Sequence, residues 1–146
     1  MEEPIRDAVL VLASREDVTA DLVVQELNSR GLPVARMDTA DFPVSMSLAA
    51  HAIDGKIEGR LKDRLRGVDL GSVRSVYFRR PGQFTLAEGM SGPEQRWAYR
   101  EARMGLGGVL LALDCLYVND PRRMASAEYK PAQLTTASKC GLTPQY

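Results

Sequence analysis

The residues most able to do chemistry in this chain are Arg79-Arg80-Pro81. Two adjacent guanidiniums at the end of an apolar segment can grip a carboxylate or phosphate in bidentate fashion. The proline then fixes the chain's exit. The same pair also fits surface arginines that balance the acidic N-terminal segment. Ser14-Arg15 follows the first apolar run, where a helix N-terminus could hold an anionic ligand. A plain helix cap is the favoured reading there, because such caps are common. Arg79, Arg80, Ser14 and Arg15 are the candidate substrate contacts.

Other features carry less. The single histidine, His51, excludes a histidine-rich metal site, and any Ser-His or Cys-His nucleophile would have to use it. It is expected to be structural. Cys115 and Cys140 are too few and too far apart for a zinc site. Spacing leaves a bridge between them open, but two buried thiols are expected. Gly105-Leu106-Gly107-Gly108 has the look of a phosphate loop, yet it lies inside a helical pattern and follows no strand. Three helical glycines cost about 1 kcal/mol each relative to alanine. Close packing or a kink is the expected reason for them. Trp97, Tyr99, Arg100 and Arg103 could form a partner surface, but a core edge with a solvated face is favoured. No pair of carboxylates stands at catalytic spacing, so no residue is assigned to catalysis or to a metal.

The elements that must position these groups can be read from periodicity. Ala8–Ala13 is a continuous apolar run that fits a buried parallel strand. Ser14 is expected to cap the following helix, with Asp17 three residues on. Val18, Leu22, Val23 and Leu27 recur at helical spacing, and Gly31 stands where the helix should end. Leu32–Met37 is the second strand of this strand–helix–strand unit. Val44, Met46 and Leu48 alternate with serines, and Lys56–Lys62 alternates too. Asp54-Gly55 between them signals a half-buried antiparallel hairpin. Val73–Phe78 is a further strand, stopped at Pro81-Gly82.

Pro93 and Ser91 or Gly92 open a helix over Glu94–Leu113. Ala98, Ala102, Gly105, Val109 and Ala112 form a small-residue stripe on it. Cys115–Val118 is a strand ended by Asn119-Asp120-Pro121, and Pro131–Cys140 is a last short helix. The expected fold is α/β: a small open, mainly parallel, Rossmann-like sheet with an inserted antiparallel hairpin and helices on both faces. The first strand–helix turn, Ala13-Ser14-Arg15-Glu16, has no glycine, which argues against a nucleotide-binding Rossmann site.

Composition sets the outer limits. The chain has 146 residues, 45 % hydrophobic and 26 % charged, enough for one domain with a real core. Nineteen basic and nineteen acidic residues cancel. Neither nucleic acid nor an anionic membrane is an expected partner. The charge is uneven, however: residues 1–55 hold four basic and ten acidic groups, and residues 56–80 hold eight and three. No apolar run approaches the roughly 18–20 residues that span a bilayer. Met1–Arg6 is the wrong start for a secretory signal. The chain reads as cytoplasmic.

Three stretches together carry a resemblance: Tyr77-Phe78-Arg79-Arg80-Pro81, Val118-Asn119-Asp120-Pro121, and Ala127–Leu134 (AEYKPAQL) with Ala137 and Gly141-Leu142-Thr143-Pro144. Their order and spacing are similar to the N-terminal region of ATP-grasp ribosomal peptide maturases, the microviridin-type or graspetide ligases related to RimK-type enzymes. The resemblance implies a pre-ATP-grasp domain over 1–126 and a connecting helix over 127–146 leading toward an ATP-grasp domain that this sequence lacks.

It implies further that the whole enzyme uses ATP and Mg²⁺ to activate a side-chain carboxylate of a precursor peptide. A hydroxyl or amine then attacks, giving an ester or amide crosslink. This 146-residue piece would bind no cofactor and would be inactive alone. Its Arg79 and Arg80 would orient an acidic peptide side chain or steady developing charge. Asn119, Lys130 and Gln133 would serve the domain connection. The expected partners are the precursor peptide, the missing ATP-grasp domain and a second copy in a homodimer. The alternative is a stand-alone α/β module that binds a peptide or protein, or dimerises, without chemistry. Its interface would be the small-residue stripe and Trp97.

Overall fold

The computed structural model describes residues 3–143. Met1-Glu2 and Pro144-Gln145-Tyr146, the latter expected to lead into a new element, lie outside them. Two sheets share one core. The larger is a four-stranded parallel sheet of β1 (Val9–Ala13), β2 (Val34–Met37), β6 (Ser75–Arg79) and β7 (Leu116–Val118), in the order β2-β1-β6-β7. β1 is central, with Val9 opposite both Val34 and Ser75. Its alternate residues serve opposite faces, which is why the run is apolar throughout. Leu10 and Leu12 pack with Val76, Leu106 and Leu110, while Val11 and Ala13 pack with Ala20, Val24 and Leu27. Burial of each such leucine contributes roughly 2 kcal/mol.

One helix lies on each face. α1 (Val18–Ser29) covers the Val11 face. Its cap is Asp17, whose carboxylate accepts from Ala20 N at 2.8 Å. Ser14, the expected cap, instead sits three residues before Asp17 in the turn that leaves β1. The carboxylate outcompetes the hydroxyl because it also holds a cation, described below. Gly31 ends the helix with φ +69°.

α2 (Gly92–Leu111) covers the other face. Glu94 accepts from Ser91 N and Oγ, both at 2.7 Å, and the bond from Ser91 N is the carboxylate half of a capping box. The buried stripe of α2 is Ala102, Leu106 and Leu110, with Leu113 just beyond its end. The expected close packing of its glycines is absent. A Cβ added at Gly105, Gly107 or Gly108 would meet nothing within 4 Å. Trp97 likewise faces solvent at 61 % exposure instead of edging the core, while Tyr99 tilts against Phe84 at 5.4 Å.

The second sheet is antiparallel: β3 (Ser47–Ile53), β4 (Lys56–Lys62) and β5 (Gly67–Asp69), in that order. The Asp54-Gly55 turn and β4 are where the sequence put them, whereas β3 starts only at Ser47 and leaves out Val44 and Met46. Asp54 and Gly55 both have positive φ, +49° and +77°, as a two-residue turn between twisted strands needs. β5 was not expected. It recruits Val68 beside Leu61, and both join the main core. The hairpin is less buried than its alternation suggests: of β3 only Leu48 is partly covered. At Gly59, with φ +141°, a Cβ would run into the Ala49 carbonyl. The two chain ends of the fold differ in packing. Ile5 bridges to Val68, whereas α3 (Pro121–Ala127) and α4 (Lys130–Lys139) bury no residue.

Candidate functional site

The parallel strands all deliver their carboxyl ends to one edge. Strand order reverses between β1 and β6, and ligands of open α/β sheets bind at such a crevice. Four turns meet there: Ser14–Asp17 after β1, Asp38–Asp41 after β2, Arg80–Gly82 after β6 and Asn119-Asp120 after β7. The crevice brings Ser14 and Arg80 together, with Ser14 N donating to Arg80 O at 3.3 Å. The β1–β6 pairing places Ala13 opposite Arg79.

The four expected substrate contacts therefore share one edge, but they are not equally free. Arg79 Nε lies 3.0 Å and 3.1 Å from the two oxygens of Asp17. The bond from Ala20 N, then that from Arg79, holds the Asp17 carboxyl below its usual range, and the pair raises Arg79. Asp17 thus caps α1 and ties it to the end of β6. Arg15 donates from Nη2 to Asp41 at 2.6 Å, and this bond raises its pKa. Arg80 is exposed and has no acidic partner among the described residues. Its backbone is held at φ +44°, a conformation that non-glycine residues seldom adopt.

The residue that organises this edge is one the sequence reading passed over. Asp38, 7 % exposed, accepts from Arg15 N at 3.2 Å, Ala40 N at 3.1 Å and Gly82 N at 2.7 Å. It fastens the β1, β2 and β6 turns to one another. Thr39 Oγ1 donates to Gly82 O at 2.7 Å and completes the link. Gly82 is required for close approach: a Cβ there would stand 2.7 Å from Ala40 Cβ and 3.0 Å from Asp38 Oδ1. Arg36 donates to the carbonyls of Ser14 and Arg15 and pairs with Asp21. An open hollow of about 320 Å³ lies beside these turns, lined by Arg15, Arg36, Asp38, Asp41, Asp63 and Arg66, among others. Its mixed charge suits a polar ligand with groups of both signs.

The expected connection residues are placed as follows. Asn119 donates to Phe78 O at 3.4 Å, so it stands at the same strand edge. Lys130 and Gln133 are on α4, bonded to each other at 3.0 Å, and Gln133 also donates to Ala127 O at 2.5 Å. Asp120 caps α3 and pairs with Arg122 at 2.8 Å. That pair brings Asp120 down from 3.8 to about 2.

The remaining candidates stay apart. His51 is exposed on β3, 3.8 Å from Glu58. Cys115 is half-buried, and burial pushes its thiol up. Cys140 is exposed rather than buried, because α4 has no packed face. Among the described residues no three potential metal ligands cluster, and the β1 turn has no glycine for a phosphate. No helix of the described residues is long and apolar enough to cross a membrane.

Residues 8–125 match the family model of the MvdD pre-ATP-grasp domain. Among solved structures, the chain is similar to macrocyclase MdnB of Microcystis aeruginosa MRC, with 27 % identity and a TM-score of 0.83. The match covers 92 % of this chain and 44 % of that one. MdnC of the same organism, bound with precursor peptide MdnA, gives 24 % identity and a TM-score of 0.84 over 92 % and 44 %. A Chryseobacterium gregarium RiPP-associated ATP-grasp ligase, in complex with ADP and a leader and core peptide, gives 23 % and 0.81 over 92 % and 41 %. The latter two likenesses bear on the fold alone. The chain spans less than half the length of these structures. No curated protein sequence is detectably similar to it.

Proposed function

The chain belongs to the MvdD pre-ATP-grasp domain family, and from that premise we propose that it is the N-terminal domain of an ATP-grasp ligase that crosslinks side chains of a ribosomally made precursor peptide. ATP and Mg²⁺ would activate a peptide carboxylate in the rest of that enzyme. The domain's share of the work is to wall one side of the peptide cleft. The carboxyl edge of its parallel sheet is the surface for it.

The observation that carries this role is the exposed Arg80, fixed at positive φ where the strand order reverses. A guanidinium held there can pair with an acidic peptide side chain without first giving up an internal partner. Arg79 acts differently: clamped to Asp17, it holds the strand end in position. Ser14 and Arg15 flank the pair, and Asn119 extends the edge to β7. Lys130 and Gln133 would serve the connection to the next domain.

The test is ATP-dependent loss of water from the precursor peptide, followed by mass spectrometry with the complete ligase. Arg80→Ala should weaken peptide binding about tenfold to a hundredfold, as expected for loss of one charge-assisted pair. Arg80→Lys should recover only part of it, since the bidentate geometry is lost. Unchanged affinity and crosslinking in Arg80→Ala would remove Arg80 from the substrate wall. No dehydration of any peptide, with a folded enzyme and bound ATP, would overturn the ligase reading itself.

A further inference from the structure

The cations of this chain fall into two groups. Arg6, Arg15, Arg36, Arg79 and Arg122 each pair with an aspartate. Lys56, Arg60, Lys62, Arg64 and Arg66 do not: among the described residues none of them has an acidic partner. Yet these five stand within eleven residues, on β4 and the turn that follows it. The nearby acids are engaged elsewhere. Asp63 is buried and accepts from Leu65 N and Arg66 N, both at 2.7 Å. Asp69 stands opposite Arg60 in the strand register, but its carboxylate accepts from Gly71 N and faces Arg6. Glu58 lies 3.8 Å from His51 across the hairpin. A run of uncompensated like charge repels itself and attracts an anionic partner.

The fold sets these cations in a line. Side chains of β4 alternate between faces, and Leu61 points to the core, so Lys56, Arg60 and Lys62 lie on the outer face. Arg60 leans over Gly67, where its Cδ stands 3.3 Å from the place a Cβ would take. Gly67 pairs with Lys62, so the stem of Arg60 is directed toward the β4–β5 turn. That turn is closed on itself: Asp63 N donates to Arg66 O at 3.0 Å, in addition to the two bonds into the Asp63 carboxylate. It holds Arg64 and Leu65 out at its tip, Leu65 at 65 % exposure.

The turn also reaches the candidate site. Asp63, Leu65 and Arg66 line the hollow of about 320 Å³ together with Arg15, Arg36 and Asp38. The carboxylates there are already taken: Asp38 by three backbone N–H groups, Asp41 by Arg15 and Asp63 by its own turn. Arg66 is left without a counter-charge. We propose that the Asp63–Arg66 turn, with Arg60 and Lys62 behind it, is a docking site for an extended acidic peptide segment and leads that segment toward the carboxyl edge. That the segment belongs to the precursor peptide rests on the function proposed above; the preference for an acidic peptide rests on the charges themselves.

Two features favour a polypeptide as the occupant. Arg60 and Lys62 repeat at about 7 Å, as do alternate side chains of an extended peptide, so carboxylates at every second position would meet both. The exposed Leu65 adds an apolar contact between the cations of the tip. Nucleic acid fits less well, because no Phe, Tyr or Trp lies between Ser47 and Asp69 for bases to stack on.

The test is fluorescence anisotropy of a labelled peptide with glutamate at every second position, titrated with the chain in about 50 mM salt. The peptide should bind, and about 300 mM salt should weaken it roughly tenfold, since exposed charges are screened. Its glutamine counterpart should not bind. Arg64→Gln with Arg66→Gln should weaken binding about tenfold or more, with an unchanged urea midpoint, because neither side chain bonds within the described chain. Arg96→Gln with Arg103→Gln removes the same charge from exposed positions on α2 and should change affinity less than about twofold. In the complete ligase the turn variant should raise the KM of the precursor about tenfold. No binding of the acidic peptide, or binding that the turn variant leaves intact, would overturn the proposal. Equal losses in the two double variants would overturn it too, since net charge alone would then explain them. Loss in Arg80→Ala but not in the turn variant would overturn it and assign the acidic segment to the crevice. Tighter binding of a single-stranded oligonucleotide of equal charge would overturn the choice of a peptide. If the acidic peptide binds through the turn while the complete ligase dehydrates no peptide, the docking site stands, and its assignment to a precursor falls with the function proposed above.

Discussion

Replacing Asp38 by alanine tests whether one carboxylate holds the candidate site together. The side chain accepts three hydrogen bonds, of which the one to Ala40 is local. The bonds from Arg15 and Gly82 join turns that are 23 and 44 residues away in the chain. A hydrogen bond to a charged group contributes about 1.5–3 kcal/mol. Water can reach Arg15 N more easily than Gly82 N, so the two distant bonds together should be worth about 3 kcal/mol. That is a large part of the roughly 5–15 kcal/mol of a whole domain. Urea denaturation reads it directly. With a slope near ~2 kcal/mol per molar, the midpoint should fall by about 1.5 M and the slope should not change. Asp38→Asn keeps one acceptor and should lose roughly half as much. Asp69→Ala is the control: its carboxylate accepts from nearby Gly71 N and lies 3.6 Å from the exposed Arg6, and its loss should cost about 1 kcal/mol or less. A fall of under about 0.5 M in Asp38→Ala would refute the view that Asp38 ties the turns together.

Gly108→Ala on the open face of α2 should raise stability by about 1 kcal/mol, because nothing stands where the methyl would go; a loss on thermal melting would restore a packing role for that glycine. Leu106→Ala, at 1 % exposure between α2 and the parallel sheet, should cost about 2–5 kcal/mol in the same urea experiment, unlike a substitution on the outer face. The Asp120 carboxyl, lowered from 3.8 to about 2 by Arg122, stabilises the fold fully above its unfolded value and ceases to do so as pH falls through about 2. NMR titration should find that low value, and Arg122→Ala should return it toward 3.8; an unmoved titration would separate the two residues.

Elements marked by adjacent residues were legible in the sequence. The apolar run of β1, the Asp54-Gly55 turn and the start of α2, with Ser91 or Gly92 before Pro93, each need only a few neighbours to define them. What depended on distant partners was not legible. Asp17 replaced Ser14 as the cap because Arg79, far along the chain, shares its carboxylate. Asp38 drew no notice for the same reason: its value lies in Arg15 and Gly82. β5 is only three residues long and exists because β4 and Ile5 flank it. On α2 the glycines and the leucines both repeat at helical spacing, and periodicity alone cannot say which stripe meets the sheet. Of the site, Ser14, Arg15, Arg79 and Arg80 were visible as residue types at strand ends. Their sorting into paired and unpaired cations required the fold.

The three-stranded sheet also bears on the order in which the chain can fold. Its pairings are local: Ile53 meets Lys56 across a two-residue turn, and β5 follows β4 closely. The parallel pairing of β1 with β6 is remote, since Val9 must find Ser75 across the whole of that insert. Hairpins close in microseconds, whereas remote parallel contacts must first overcome the entropy of a long loop. A preformed hairpin sheet shortens the slack between β2 and β6, and Leu61 and Val68 then offer the incoming strand an apolar surface to collapse on. The insert serves, on this account, as a folding clasp for the parallel sheet it interrupts.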